Sequence, residues 1–169
     1  MGALHSKAQY WIRQGIFDDL RSFGAFESRV NAIPEEKDRG DVFELFIEGY
    51  LATQNITQCV RHWVVGEIPL PLRERYKLPS DPTGIDGIYE TRDGCQVAYQ
   101  VKYRQKQALT FAEVAPFLGL TEKFRDRVIF TNAATLSEKA VVRTRWVSGE
   151  VFRALSPEAL GARRYRSVA

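Results

Sequence analysis

The clearest period along the chain is a strict alternation over 96–103. Val97, Tyr99, Val101 and Tyr103 fall on one face of a strand, and Gln96, Ala98, Gln100 and Lys102 on the other. Arg92, Asp93 and Gly94 just before it are turn residues, so a hairpin partner is predicted over 85–90. A further strand is predicted at 62–65, ahead of a loop rich in charge and in proline (Pro69, Pro71, Pro79, Pro82), and an apolar one at 128–131.

The helical period of 3.6 appears elsewhere. Over 7–30 the apolar positions Tyr10, Trp11, Phe17, Leu20, Phe23, Phe26 and Val30 predict one or two short helices, broken at Gly15 and Gly24. Pro34 and the polar run after it predict a turn and a helix start, with Asp38 or Asp41 as the cap of a segment reaching about Asn55. This is expected to be the longest helix. Val42, Phe43, Phe46, Ile47 and Tyr50 occupy one arc of its wheel and Asp41, Glu44 and Glu48 another, which puts Glu44 at the margin of the buried arc and Glu48 toward solvent. Helices are also predicted at 111–120 and 136–143, and Ser156, Pro157 and Glu158 can start a short one.

The order helix, three strands, helix, strand, helix implies an α/β domain with a central mixed sheet of about four strands and helices on both faces. The organisation expected is a core over 37–150, a helical segment over 1–36 packed on it, and an extension or linker over 151–169.

Composition refines this only a little. A chain of 169 residues, 44% hydrophobic and 27% charged, suits one globular domain. The net charge of +3 is compatible with a polyanionic partner and does not require one. Basic residues cluster around 102–106 and 163–166, whereas Glu35, Glu36, Asp41, Glu44 and Glu48 gather upstream. Two cysteines without a CxxC pair and two histidines are too few for a structural zinc site, so reduced thiols in a cytoplasmic protein are expected. No apolar run is long enough for a membrane span, and the N-terminus has no hydrophobic export segment.

The candidate chemistry lies in the hairpin. Asp86 stands between Ile85 and Gly87 in an apolar stretch, where an ionised group needs a partner or a metal. Across the turn, Gln100 and Lys102 share a face, and Glu44 lies upstream on a helix. Singly, Asp86, Gln100 and Lys102 each have a bland explanation: a turn residue, an exposed amide, a solvated edge-strand charge. Jointly, with Glu44, they form a four-part arrangement that coincidence explains poorly. Asp81, beside Pro82, reads as a turn residue and Glu90 as exposed, while Trp11, Trp63, Trp146 and His62 read as core.

Gly84-Ile85-Asp86-Gly87 and Tyr99-Gln100-Val101-Lys102-Tyr103 resemble the second and third motifs of Mrr-like restriction endonucleases, a branch of the PD-(D/E)XK superfamily. Val128-Ile129-Phe130-Thr131-Asn132 and Leu136-Ser137-Glu138-Lys139-Ala140 are similar to the strand and helix that follow, so the likeness covers about 38–143. Asp81 to Asp86, Gln100 to Arg104 and Phe117 to Lys123 further resemble the N-terminal nuclease domain of large predicted helicases and of single-chain restriction-modification translocases.

The resemblance implies a restriction-endonuclease-like core and a Mg2+-dependent endonuclease acting on double-stranded DNA, with Mn2+ able to substitute. Asp86, Gln100, Lys102 and Glu44 would be catalytic. Asp86, Gln100, the backbone at Val101 and Glu44 would hold the metal, and Tyr103, Arg104 and Lys106 would contact DNA. A helicase or translocase domain, in the same chain or another, and a homodimer are the partners it suggests. Gln100 stands where Asp or Glu is usual in the superfamily, as is typical of the Mrr-like branch; it removes one negative charge and implies weaker metal binding assisted by substrate phosphate. Three alternatives stay open: a silent nuclease fold that only binds DNA or docks a partner, a junction-resolvase type that cuts branched DNA as a dimer, and a protein-interaction module.

Overall fold

The computed structural model describes residues 7–105 and 108–160. Five strands form one mixed sheet in the order β1 (Cys59–Val64), β2 (Gly87–Thr91), β3 (Gln96–Lys102), β4 (Asp126–Thr131) and β5 (Arg145–Val147). The first three are antiparallel, while β3, β4 and β5 run parallel. The sheet therefore has one strand more than the four expected. β5 is three residues long, too short to show a period in sequence.

The β2–β3 hairpin closes as the turn residues predict. Thr91 and Cys95 pair through their backbones, and Gly94 takes a positive φ of 80° that a side chain would resist. Parallel strands need a crossover. Between β3 and β4 it is supplied by α5 (Phe111–Leu120), whose first turn is closed by Glu113 accepting from the Thr110 backbone N–H at 2.8 Å and its hydroxyl at 2.7 Å. Between β4 and β5 it is α6 (Glu138–Val141), only four residues of the stretch predicted as helix over 136–143.

Alternation along the strands sorts the core into two layers. Tyr89, Val97, Tyr99, Val101, Val128 and Phe130 face one side, with α1 (Ala8–Arg13), α2 (Phe23–Asn31), α3 (Glu36–Thr53), α7 (Gly149–Arg153) and α8 (Pro157–Leu160). Ile88, Ala98 and Ile129 face the other, with α4 (Leu70–Tyr76), α5 and α6. On the first side Phe23, Phe26, Phe43, Phe46 and Phe152 form a continuous ring cluster, with Phe26 and Phe46 stacked at 4.7 Å and Phe152 edge-on to Phe46 at 5.5 Å. Phe152, in the stretch expected as an extension, is thus fully buried.

Several local expectations change. α4 lies inside the proline-rich stretch read as loop; Pro71 is tolerated because it stands in the first turn. Gly24 does not break a helix but lies in the first turn of α2, which Ser22 caps by accepting from Ala25 at 3.1 Å. Gly15, at a φ of 71°, does mark the end of the first helical stretch. Neither Asp38 nor Asp41 caps α3, which starts earlier at Glu36. Both instead meet the Lys7 ammonium at 2.7 Å, tying the N-terminal segment to the long helix.

The largest correction concerns the face of α3. Glu48, expected toward solvent, is only 2% exposed, and Asp41 is buried too. α3 lies between the sheet and the N-terminal helices, so its polar arc is covered as well as its apolar one.

Candidate functional site

The site lies where β2 begins and β3 ends. Asp86 is one residue before β2, and its backbone continues the ladder on both sides. Its N–H donates to the Tyr99 carbonyl at 3.0 Å, and its carbonyl accepts from Val65 at 2.9 Å. Its carboxylate Oδ2 accepts from the Val101 N–H at 2.6 Å. A charge-assisted bond of that length fixes the side chain against the end of β3.

Gln100 is 2% exposed. Its Nε2 donates to the Gly84 carbonyl at 2.7 Å, and its Oε1 has no hydrogen-bond partner among the described residues. A buried amide oxygen left without a donor costs about 1–3 kcal/mol. The geometry that aims Nε2 at Gly84 depends on that glycine, whose φ of 107° is closed to most side chains. Lys102, two residues on, lies on the same strand face and stays half-buried.

Glu44 arrives from α3. Burial, with the neighbouring carboxylates of Asp86, Asp41 and Glu48, pushes its carboxyl up to about 8, against the pull of the Lys102 ammonium. Burial likewise pushes Asp86 up to about 6, opposed by the Val101 N–H and by Lys102. The fold thus brings Glu44, Asp86 and Lys102 within electrostatic reach, with Gln100 on the same strand. An open cleft of about 810 Å³ lies between α3 and the end of β3; of this group Glu44 and Lys102 border it, with Gly40, Val101 and Arg104 among others, while Asp86 and Gln100 do not.

The DNA-contact expectations fare unevenly in position. Tyr103 is buried, its hydroxyl donating to Asn31 Oδ1 at 2.9 Å. Arg104 borders the cleft and pairs with Glu113, the residue that caps α5. Lys106 lies outside the described residues. Asp81 is exposed in a turn, and Glu90 is half-buried, accepting from Gln96 Nε2 at 2.9 Å. Of the aromatic and histidine residues read as core, Trp11 and His62 are buried, and Trp63 and Trp146 are partly so.

Sequence reasoning missed Asn132. Its Oδ1 accepts from the Arg104 N–H and its Nδ2 donates to the Arg104 carbonyl, both at 2.6 Å, so the side chain adds one rung to the β3–β4 ladder where the strands part. The second Nδ2 hydrogen goes to Glu27 at 3.0 Å. Only a carboxamide gives and accepts in this way, and an Asn just after an apolar strand was the one available signal.

Among the described residues, no three histidine, cysteine, aspartate or glutamate side chains group so as to hold a metal ion. The donors on offer are two carboxylates, Asp86 and Glu44, with the Gln100 amide oxygen and the Val101 backbone. All are hard oxygen donors suited to Mg2+ rather than to zinc. The partnerless Gln100 Oε1 and the two raised carboxyls are what an oxygen-bound cation would satisfy. The donor types present are those a magnesium ion takes. Among the described residues no helix is long and apolar enough to cross a membrane. Comparison with known proteins gives no matching family model, no matching curated protein and no matching solved structure.

Proposed function

We propose that the chain is a metal-dependent endonuclease with a restriction-endonuclease-like core, hydrolysing DNA phosphodiester bonds at Asp86, Gln100 and Lys102. The observation that carries this reading is the buried Gln100 Oε1 without a donor, beside a constrained Asp86 and an ammonium on the same strand face. Trp11 Nε1, in the core, is also buried without a partner, so what sets Gln100 Oε1 apart is its place next to a carboxylate and an ammonium rather than its lack of a donor alone. The motif resemblance of the hairpin supports the same reading, and a fold alone would not.

In this proposal Asp86, the Gln100 oxygen, the Val101 backbone and Glu44 hold the ion. Bound Mg2+ would polarise a phosphate oxygen and lower the pKa of a coordinated water. Asp86 is kept in place by the Val101 N–H, which spares it from reorganising as the substrate arrives. Lys102 offsets the charge that grows on the phosphate and orients the attacking water by hydrogen bonding. Its contribution should be about 3 kcal/mol of barrier. Glu44, whose carboxyl is pushed up to about 8 by burial and its neighbouring carboxylates, would join the ion only after giving up its proton. The substrate is double-stranded DNA, reached in the cytoplasm, with a translocase domain and a second copy of the chain as candidate partners.

Cleavage of supercoiled plasmid in Mg2+ or Mn2+ tests this, with Asp86→Ala and Lys102→Ala alongside the wild type. The expected outcome is metal-dependent cutting that drops at least ~10²-fold in each variant. Equal cutting by all three proteins would place the activity elsewhere. Binding without cutting by the wild type would favour the silent-module reading, for which the loss of one carboxylate at Gln100 is the structural argument.

A further inference from the structure

Gly40 is the fifth residue of an 18-residue helix. A glycine inside a helix weakens it relative to alanine, because the unfolded chain loses more freedom on folding. Several glycines elsewhere have an internal reason, whereas Gly66 and Gly119, like Gly40, have none. A Cβ at Gly87 would run into the Trp63 carbonyl and the Tyr99 hydroxyl, one at Gly149 would run into the Asn132 carbonyl, and Gly84 has a positive φ. Gly40 has neither reason. Its φ is ordinary for a helix, and a Cβ there would meet nothing within 4 Å.

What Gly40 does have is a place on the cleft wall. Glu36 and Glu44, one turn below and one turn above it, share its face and border the same cleft, and Lys102 and Arg104 form the opposite side. Two of the cleft's cations are engaged by the protein. Arg39 donates to the carbonyls of Ile33 at 2.7 Å and Pro34 at 2.8 Å, and Arg104 pairs with Glu113. Lys37 and Lys102, which also line the cleft, make no ion pair within 4 Å among the described residues.

From this we infer that Gly40 is the crossing point of one sugar–phosphate strand over α3, a specificity-determining gap for a polynucleotide. The inference rests on the proposed nuclease reading and adds the path of the substrate. Glu36 repels phosphate beside the gap, so the strand presents a sugar to Gly40 and its phosphates to Lys37 and Lys102. The missing side chain lets the strand approach the helix backbone, close enough for Lys102 to reach the scissile group. A ligand with no extended backbone would need no such gap.

The test uses the full chain as Gly40→Ala, Gly40→Leu and the control Gly119→Ala. Gly119 is also a helical glycine with nothing within 4 Å, but it lies on an exposed turn of α5 and does not line the cleft. Thermal unfolding is measured in EDTA. Binding of a short fluorescein-labelled DNA duplex is measured by anisotropy in Ca2+. The two Gly40 variants should melt about 2–4 °C higher than the wild type. Gly40→Leu should nevertheless bind the duplex roughly tenfold more weakly or worse, with Gly40→Ala in between. Gly119→Ala should bind as the wild type does.

Gain of stability with loss of binding is a combination that a structural glycine does not produce. Unchanged binding by Gly40→Leu overturns the inference, as does a Gly40→Leu that melts lower than the wild type, or an equal binding loss in Gly119→Ala. A wild type that binds no duplex removes the nuclease reading itself and the inference with it, so the two failures are distinguishable.

Discussion

Gln96 and Gln100 sit four residues apart on the same face of β3 and are treated differently by the fold. Gln96 is used at both ends: Oε1 accepts from Tyr76 Oη at 3.1 Å and from Arg75 Nη1 at 3.2 Å, while Nε2 donates to Glu90 at 2.9 Å. Tyr76, in turn, stacks on Phe124 at 3.7 Å. Gln100 is more deeply buried, yet only its Nε2 is used. One end of the strand engages both its amide oxygen and its amide nitrogen, and the other leaves an acceptor open near two carboxyls held above their ordinary range. The first pattern is that of a scaffold, and the second is what the proposed metal site would complete.

The contrast can be broken most sharply through activity. Gln100→Met should abolish metal-dependent cutting, as is expected of Lys102→Ala, a loss of at least ~10²-fold. Gln96→Ala should cut at the wild-type rate. Similar activity losses at both glutamines would mean that β3 is simply intolerant, and the distinction between its ends would fall.

A smaller effect follows from Glu44. Its folded value of about 8 lies above its ordinary 4.5, so above pH 4.5 the folded form retains a proton that the unfolded chain gives up. Stability must then fall as pH rises from about 5 to 8 and level off beyond, by on the order of a few kcal/mol at most. Asp86, at about 6, adds a slope of the same sign over the lower part of this window. Chemical denaturation in EDTA at a series of pH values measures it. Glu44→Gln should flatten the curve, and a variant with the wild-type slope would show that Glu44 does not carry the proton.

The smallest effects are on stability at the two glutamines. Gln96→Ala leaves the hydroxyl of buried Tyr76 and the Glu90 carboxylate without their partner and should cost about 1–2 kcal/mol. Gln100→Met removes an open acceptor along with one bond to Gly84, and should change stability by less than about 1 kcal/mol. Urea unfolding separates the two. A larger cost at Gln100 than at Gln96 would mean that its oxygen is satisfied in solution.

Legibility followed the range of the interactions. The faces of β3, the hairpin turn and the span of α5 were readable because each depends on residues within a few positions of one another. α4 was hidden by its prolines, and β5 by its length. The burial of Glu48 was misread because a wheel ranks the faces of an isolated helix, whereas α3 is covered from two sides by segments distant in sequence. The grouping of Asp86, Gln100 and Lys102 was anticipated from the hairpin and alternation. The engagement of Arg104 by Glu113 and Asn132 was not, since those partners lie across a crossover.

The amino-acid sequence by itself therefore determined which residue types alternate onto the site-bearing face, where the hairpin turns, and that the chain makes an α/β sheet with helices on both sides. Only the tertiary structure decided that Gln100 keeps an unused oxygen, that Glu44 is held near a neutral-range pKa, and that the space over Gly40 is open. Those properties are set by burial and by charges brought together from distant segments, and neither is a function of local sequence.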